Sequence, residues 1–306
     1  MGDTAEVSRW ANARSQADFV RLFGLLSSTA WAALHEAGWE ARPTEHAVET
    51  PFGPTVSYHW RGEGTPVVLL HGAGTCSLMW APLIGGLLGR SVIAIDGVGE
   101  PGRSVQTAPV RNASELSAWL GATLAGLGVE RAHLVGASYG GYVVVCHALR
   151  APDTVASVSL VEPVLDPLAR GFWTYGLKVG AAMVLPGRWR DERLRALRMG
   201  ILAEDADRRR FAFLGQARFR RRGLPRPMPV PDGDLAGLAA PLLLVLGDES
   251  PIHDAGALAE RVRLARPDAT VRVLDEAGHT LPVDAADRVT PLLRDFLDRY
   301  EIRSGP

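Results

Sequence analysis

Five short runs of almost uninterrupted apolar residues punctuate the chain: Val67-Val68-Leu69-Leu70, Val92-Ile93-Ala94-Ile95, His133-Leu134-Val135, Val158-Ser159-Leu160-Val161 and Leu242-Leu243-Leu244-Val245-Leu246. Each is shorter than a helix and lacks the polar alternation of a strand with one wet face. Each therefore predicts a strand buried on both sides, as in a parallel sheet covered by helices. His46 to Phe52 and Thr55 to Trp60 do alternate, on either side of Gly53-Pro54, and predict an antiparallel hairpin at one sheet edge. Thr270 to Leu274 predicts an eighth strand. Helix-length segments fall between the strands: Ser77 to Leu88, Ala113 to Leu127, Tyr139 to Leu149, Ala255 to Leu264 and Pro282 to Tyr300. Asn112 or Ser114 is placed to cap the second and Gly128 to end it, while Val289, Leu292, Leu293, Phe296 and Leu297 keep one apolar stripe on the last. The repeated strand-helix order predicts an α/β fold with a doubly wound, mostly parallel eight-stranded sheet.

Residues 1–44 stand ahead of this pattern as a helical extension in which Phe19, Leu22, Phe23 and Leu26 recur at helical spacing. Such a helix covers an open part of the core; the competing reading puts its aromatics at a substrate entrance. The formal net charge of −1 over 306 residues argues against a general nucleic-acid role or attraction to an anionic membrane. Cys76 and Cys146 lie far apart, without metal-ligand spacing, and read as small core residues. No apolar run is long enough to span a bilayer, Arg21 interrupts the best candidate for a leader, and Glu6 occupies the place where a myristoylation signal needs Ser or Thr. The expectation is a soluble, cytoplasmic protein.

The chemistry centres on the stretch from Arg131 to Val145, which reads as strand, sharp turn and helix. Gly136-Ala137-Ser138-Tyr139-Gly140 has the G-x-S-x-G spacing of a nucleophile elbow, where a strained turn lifts the serine hydroxyl clear of the sheet. The next helix would then start beneath Ser138, with the Tyr139 N–H and the helix dipole facing an oxygen that becomes negative during acyl transfer. A glycine-rich strand-to-helix turn also serves simply to reverse a chain, so the motif gains weight from two others: His71-Gly72-Ala73-Gly74 upstream and Gly278-His279 near the C-terminus.

With these three motifs the chain resembles the α/β-hydrolase fold superfamily from roughly Glu45 to Tyr300. The resemblance implies Ser138 as nucleophile, His279 as its base, and an oxyanion hole built from the Ala73 and Tyr139 backbone N–H groups. It also implies a helical cap over residues 163–238, inserted between core segments 45–162 and 239–306. This interval is rich in arginine, which reads as a solvated face or as a basic mouth for an anionic substrate or acidic carrier protein. Trp80 is expected to pack the helix that follows the HG loop, with its ring at the edge of an acyl pocket as the alternative. His71 and Asp96 are expected to shape turns, and His253 has no partner pattern.

The acid departs from the family pattern. Where many members carry G-x-x-D after the seventh strand, Gly247-Asp248-Glu249-Ser250 places a serine. Two carboxylates remain open: Glu162, at the end of the sixth strand, and Asp248, two places early in the ordinary loop. The reading favours Glu162, because the end of its strand already points at the site. The loop from Asp96 to Ser104, the stretch from Gly247 to Leu258 and the N-terminal extension give a narrower likeness to the bacterial carboxylesterase NP group. The function this implies is a metal-free, cofactor-free serine hydrolase acting on a small-molecule carboxylic ester or thioester. The alternatives are a biosynthetic thioesterase, cyclase or lyase and, from another class, a ligand-binding protein on a hydrolase scaffold.

Overall fold

The computed structural model describes residues 21–30, 34, 42–166, 170–197, 206, 207, 209, 210 and 224–301. Eight strands form one sheet: β1 (Thr44–Val48), β2 (Thr55–Trp60), β3 (Glu63–Leu70), β4 (Arg90–Ile95), β5 (Ala132–Ala137), β6 (Val155–Val161), β7 (Leu242–Gly247) and β8 (Thr270–Leu274). Their spatial order is β1-β2-β4-β3-β5-β6-β7-β8. β1 pairs antiparallel with β2 and β2 with β4, and every later pairing is parallel. This is the doubly wound α/β sheet that the apolar runs predict.

Alternation along the buried strands sorts their side chains between two cores. On one face Val68, Leu70, Leu134, Leu160 and Leu244 pack with residues of α2 (Ala113–Gly126), α3 (Tyr139–Ala148) and α6 (Ala255–Ala265). On the other, Val67, Leu69, Val135, Val161 and Val245 pack with α7 (Ala286–Arg299) and with Leu22 and Phe23 of the N-terminal helix α1 (21–30). The Phe23 ring lies 6.1 Å from that of Tyr58 on β2. These residues of α1 thus cover the sheet and stand away from the cavity described below; Phe19 lies outside the described residues. Cys76 and Cys146 are free and buried, in opposite cores.

Four local expectations differ from what is observed. β1 ends at Val48, and β3 begins at Glu63, ahead of its apolar run. The helix expected over Ser77 to Leu88 is a chain of short turns, 3₁₀ then α then 3₁₀. Gly85-Gly86 gives it little helical preference, and a Cβ on Gly86 would sit 2.0 Å from the Thr290 methyl of α7, so the turns are moulded to that helix. The last helix is split at Ala285, which leaves the helical region (φ −133°, ψ 32°). Between β6 and β7 lie the cap helices α4 (Arg170–Met183) and α5 (Gly187–Ala196). Among the described residues no helix is long and apolar enough to cross a membrane.

Candidate active site

Ser138 follows β5 and precedes α3 with φ 51° and ψ −117°, a conformation that costs a non-glycine residue about 1–3 kcal/mol. The flanking glycines make it possible. A Cβ on Gly136 would sit 2.5 Å from the Gly140 carbonyl oxygen, and one on Gly140 would sit 2.1 Å from that of Leu70. β5, α3 and the end of β3 therefore approach at backbone contact distance.

The end of β6 makes a second strained turn, with Glu162 at φ 49°. The two turns are tied together: the Ser138 N–H donates to the Val161 carbonyl (3.2 Å), and the Val164 N–H donates to the Ser138 carbonyl (3.1 Å). His279 arrives from the loop after β8 and joins their side chains. Its Nε2 lies 3.0 Å from Ser138 Oγ and its Nδ1 lies 3.0 Å from Glu162 Oε2. A neutral ring with its proton on Nδ1 donates to the carboxylate and leaves Nε2 to accept from the serine hydroxyl.

Glu162 is buried and accepts on both oxygens. Oε1 takes the Gly247 N–H (2.7 Å) and faces His253 Nε2 (3.3 Å), while Oε2 takes the Ser250 hydroxyl (2.6 Å) and His279. Burial is the largest single influence on this carboxyl and pushes its pKa up. The hydrogen bonds of His253 and His279, with the charge these rings carry when protonated at acid pH, outweigh burial and bring it down to about 2. The carboxylate is therefore charged at neutral pH.

Asp248 does not reach His279. Its side chain is exposed, its Oδ1 accepts the Ala277 N–H (3.2 Å), and its own N–H donates to the Leu274 carbonyl. Of the two open carboxylates, only Glu162 contacts the imidazole; Asp248 braces the loop that carries it.

Ala73 lines the same cavity as Ser138, and Tyr139 opens α3 directly behind the serine. The loop that presents Ala73 is held from beneath. His71 Nε2 accepts the Gly97 N–H and Nδ1 donates to the Gly72 carbonyl (both 2.8 Å), which makes the ring a neutral strut. Asp96 accepts the Ser77 and Arg103 N–H groups, and the buried Glu100 accepts that of Gly74. Trp80 is wholly buried in the core, while Met79 beside it faces the cavity.

That cavity measures about 560 Å³ and is walled mainly by apolar groups, among them Met79, Val179, Leu224 and Ile252, with Ser138 and His279 in its lining. Tyr175 of α4 closes one side, its ring meeting His279 edge-on at 5.8 Å between centroids. Sequence reasoning gave no role at this site to Ser250, His253, Glu100 or Tyr175. Among the described residues no cluster of three or more His, Cys, Asp or Glu is arranged to hold a metal ion.

A strained serine joined through histidine to a buried carboxylate, on this sheet, is the arrangement of a hydrolase. Residues 67–292 match the model of the alpha/beta hydrolase family, and the chain belongs to that family. It is 25% identical over 282 residues to the uncharacterized carboxylesterase nap of Bacillus subtilis (strain 168), covering 85% of this chain and 88% of that one. It is likewise 25% identical over 278 residues to carboxylesterase YbfK of the same organism, covering 85% and 89%. The crystal structure of carboxylesterase CesB (YbfK) superimposes with a TM-score of 0.74 over 92% of this chain and 98% of that one, at 22% identity, a likeness of fold. The protein is thus an enzyme of the alpha/beta hydrolase family, similar along most of its length to proteins named carboxylesterases.

Proposed function

We propose that the protein hydrolyses a carboxylic ester or thioester through an acyl-enzyme on Ser138. The observation that carries this is the continuous relay from Ser138 Oγ through His279 to Glu162, both links 3.0 Å, opening on an apolar cavity. A serine hydroxyl is a weak nucleophile at neutral pH, and a base at hydrogen-bond distance takes its proton as it attacks. His279 Nε2 is that base, and Glu162, charged and buried, stabilises the imidazolium that forms on Nδ1. The backbone N–H groups of Ala73 and Tyr139 receive the developing oxyanion, and the N-terminus of α3 adds its dipole. His279 then returns the proton to the leaving alcohol or thiol, and water attacks the acyl group by the same steps in reverse. The cavity suits an ester with a medium-sized apolar acyl or alcohol group.

The test is turnover of a p-nitrophenyl ester series from acetate to decanoate, with labelling by a fluorophosphonate. Wild type is expected to turn over the series and to be labelled at Ser138, and Ser138→Ala to lose both. Turnover by Ser138→Ala at the wild-type rate would overturn the acyl-enzyme. Absence of wild-type turnover on every chain length would overturn the general-esterase reading.

A further inference from the structure

The loop after β7 holds a second histidine against the catalytic carboxylate. His253 Nε2 lies 3.3 Å from Glu162 Oε1, and its side chain is only 9% exposed. Glu162 Oε1 and Oε2 each have two lone pairs, and each has two neighbours on the donor side: Gly247 N–H and His253 on one, Ser250 O–H and His279 on the other. The carboxylate is saturated, so its orientation and the share of its charge felt by His279 depend on all four.

We propose that His253 is a positioning residue. Its imidazole anchors Glu162 Oε1, turns Oε2 toward His279, and draws off part of the carboxylate charge, so that one anion serves two imidazoles. The proposal rests on the reading that Ser138, His279 and Glu162 form the catalytic relay.

Two consequences separate this from a packing role. The first concerns orientation. Without a donor at Oε1, Glu162 is free to rotate about its terminal torsion, and the His279 ring loses its fixed direction. Both act during chemistry, so kcat falls and KM does not. The second concerns charge. Among the described residues, the ionisable groups nearest His253 are Glu162, just after β6, which His253 contacts, and the adjoining Asp254, which caps α6 through the Ala257 N–H; His279, from the loop after β8, meets the same carboxylate, and Tyr175 of α4 packs against His279 and Ile252. Asp284, beyond His279, acts on Tyr175 together with Glu162. Of these only Glu162 touches both imidazoles. With His253 gone the full carboxylate charge falls on His279, whose protonated, inactive form is then favoured to higher pH. The acidic limb of the kcat/KM profile moves up.

The variants are His253→Leu, which removes donor and charge, and His253→Gln, whose amide nitrogen replaces Nε2 and does not titrate. Each is measured from pH 5 to 9 on the best p-nitrophenyl ester, with kcat normalised to fluorophosphonate-titrated sites so that misfolded protein is not counted. Expected for His253→Leu is a fall in kcat of about 10-fold, KM within about 3-fold, and an acidic limb raised by roughly half a pH unit or more. His253→Gln is expected to restore kcat to within about 3-fold of wild type. A His253→Leu profile that superimposes on wild type, or one that Gln does not rescue, overturns the proposal. Ser138→Ala run alongside keeps the two readings apart: if it is active, the relay itself is wrong, and if it is dead while His253→Leu is unchanged, only His253 is misassigned.

Discussion

Glu162 and Asp248 stand just beyond the ends of adjacent strands, β6 and β7, and both face the loop that carries His279. Their surroundings are opposite. Glu162 is buried, held at positive φ, and surrounded by four donor groups; Asp248 is exposed and binds one backbone N–H. The β7 loop, where the family usually places its acid, has here become the donor side. Gly247, Ser250 and His253 all turn toward a carboxylate supplied by the neighbouring strand. On the proposed function, the acid is specified here less by a position in the chain than by a set of donors around one buried point.

The largest expected effect follows from removing the charge at that point. Glu162→Gln keeps the shape but leaves His279 without a counter-ion, and kcat is expected to fall at least ~100-fold on the p-nitrophenyl series. A loss of only a few-fold would place the acid elsewhere and erase the contrast between the two strands.

The contrast sharpens if the acid can be moved. The Ser250 hydroxyl lies 2.6 Å from Glu162 Oε2, so an aspartate at 250 would bring its carboxylate close to the point that His279 Nδ1 addresses. In Glu162→Ala the vacated volume is available to it. The pair Glu162→Ala with Ser250→Asp is expected to recover at least ~10-fold in kcat over Glu162→Ala alone. No recovery would mean that the backbone turn at Glu162, and not the donor set, fixes where an acid works.

Much of this was legible in the sequence, and the boundary of legibility is physical. Strands covered on both faces announce themselves as apolar runs, and the serine elbow needs its glycines at fixed spacing because backbone comes within contact distance there. Glu162 was favoured for its place at a strand end facing the site, and its carboxylate does lie against His279. His253 was not found, because its partner lies 91 residues away and a histidine before an Asp helix cap looks like any surface turn. The available signal was its position in the loop where the family's acid normally sits, which directs side chains there toward the site. The broken segment after Trp80 and the division of the last helix escaped for a related reason: each is shaped by a neighbour that local propensity does not contain.

A smaller effect concerns stability and pH. Glu162 carries a folded-state value of about 2 against an ordinary 4.5. The unfolded chain therefore binds the proton first, and the stability this group contributes is full above 4.5 and is lost as pH falls toward 2. His133 acts in an earlier window. Burial holds it down to about 4 from 6.5, so it destabilises the fold progressively as pH drops between those values. Urea unfolding of wild type is expected to weaken on acidification in both windows, and Glu162→Gln to lessen the loss below pH 4.5, which Glu301 and Asp268 share, while leaving the loss at higher pH. Identical pH dependence in the two proteins would contradict the charged state assigned to Glu162.

The smallest effect is expected at Asp248, and it completes the comparison. Its carboxylate accepts one N–H at 3.2 Å from a solvent-exposed position, and a bond of that kind contributes about 0.5–1 kcal/mol. The same junction is held by two main-chain bonds, Asp248 N–H to the Leu274 carbonyl and Glu249 N–H to the Ala277 carbonyl, each 3.0 Å. Asp248→Ala removes the side-chain brace and leaves both. The His279 loop should therefore keep its path: kcat is expected within about 3-fold of wild type, with a loss of stability no larger than about 1 kcal/mol by urea unfolding. A fall in kcat approaching that of Glu162→Gln, at unchanged stability, would mean that the Asp248 charge reaches His279 despite its exposure, and that the two strand ends share the acid's role.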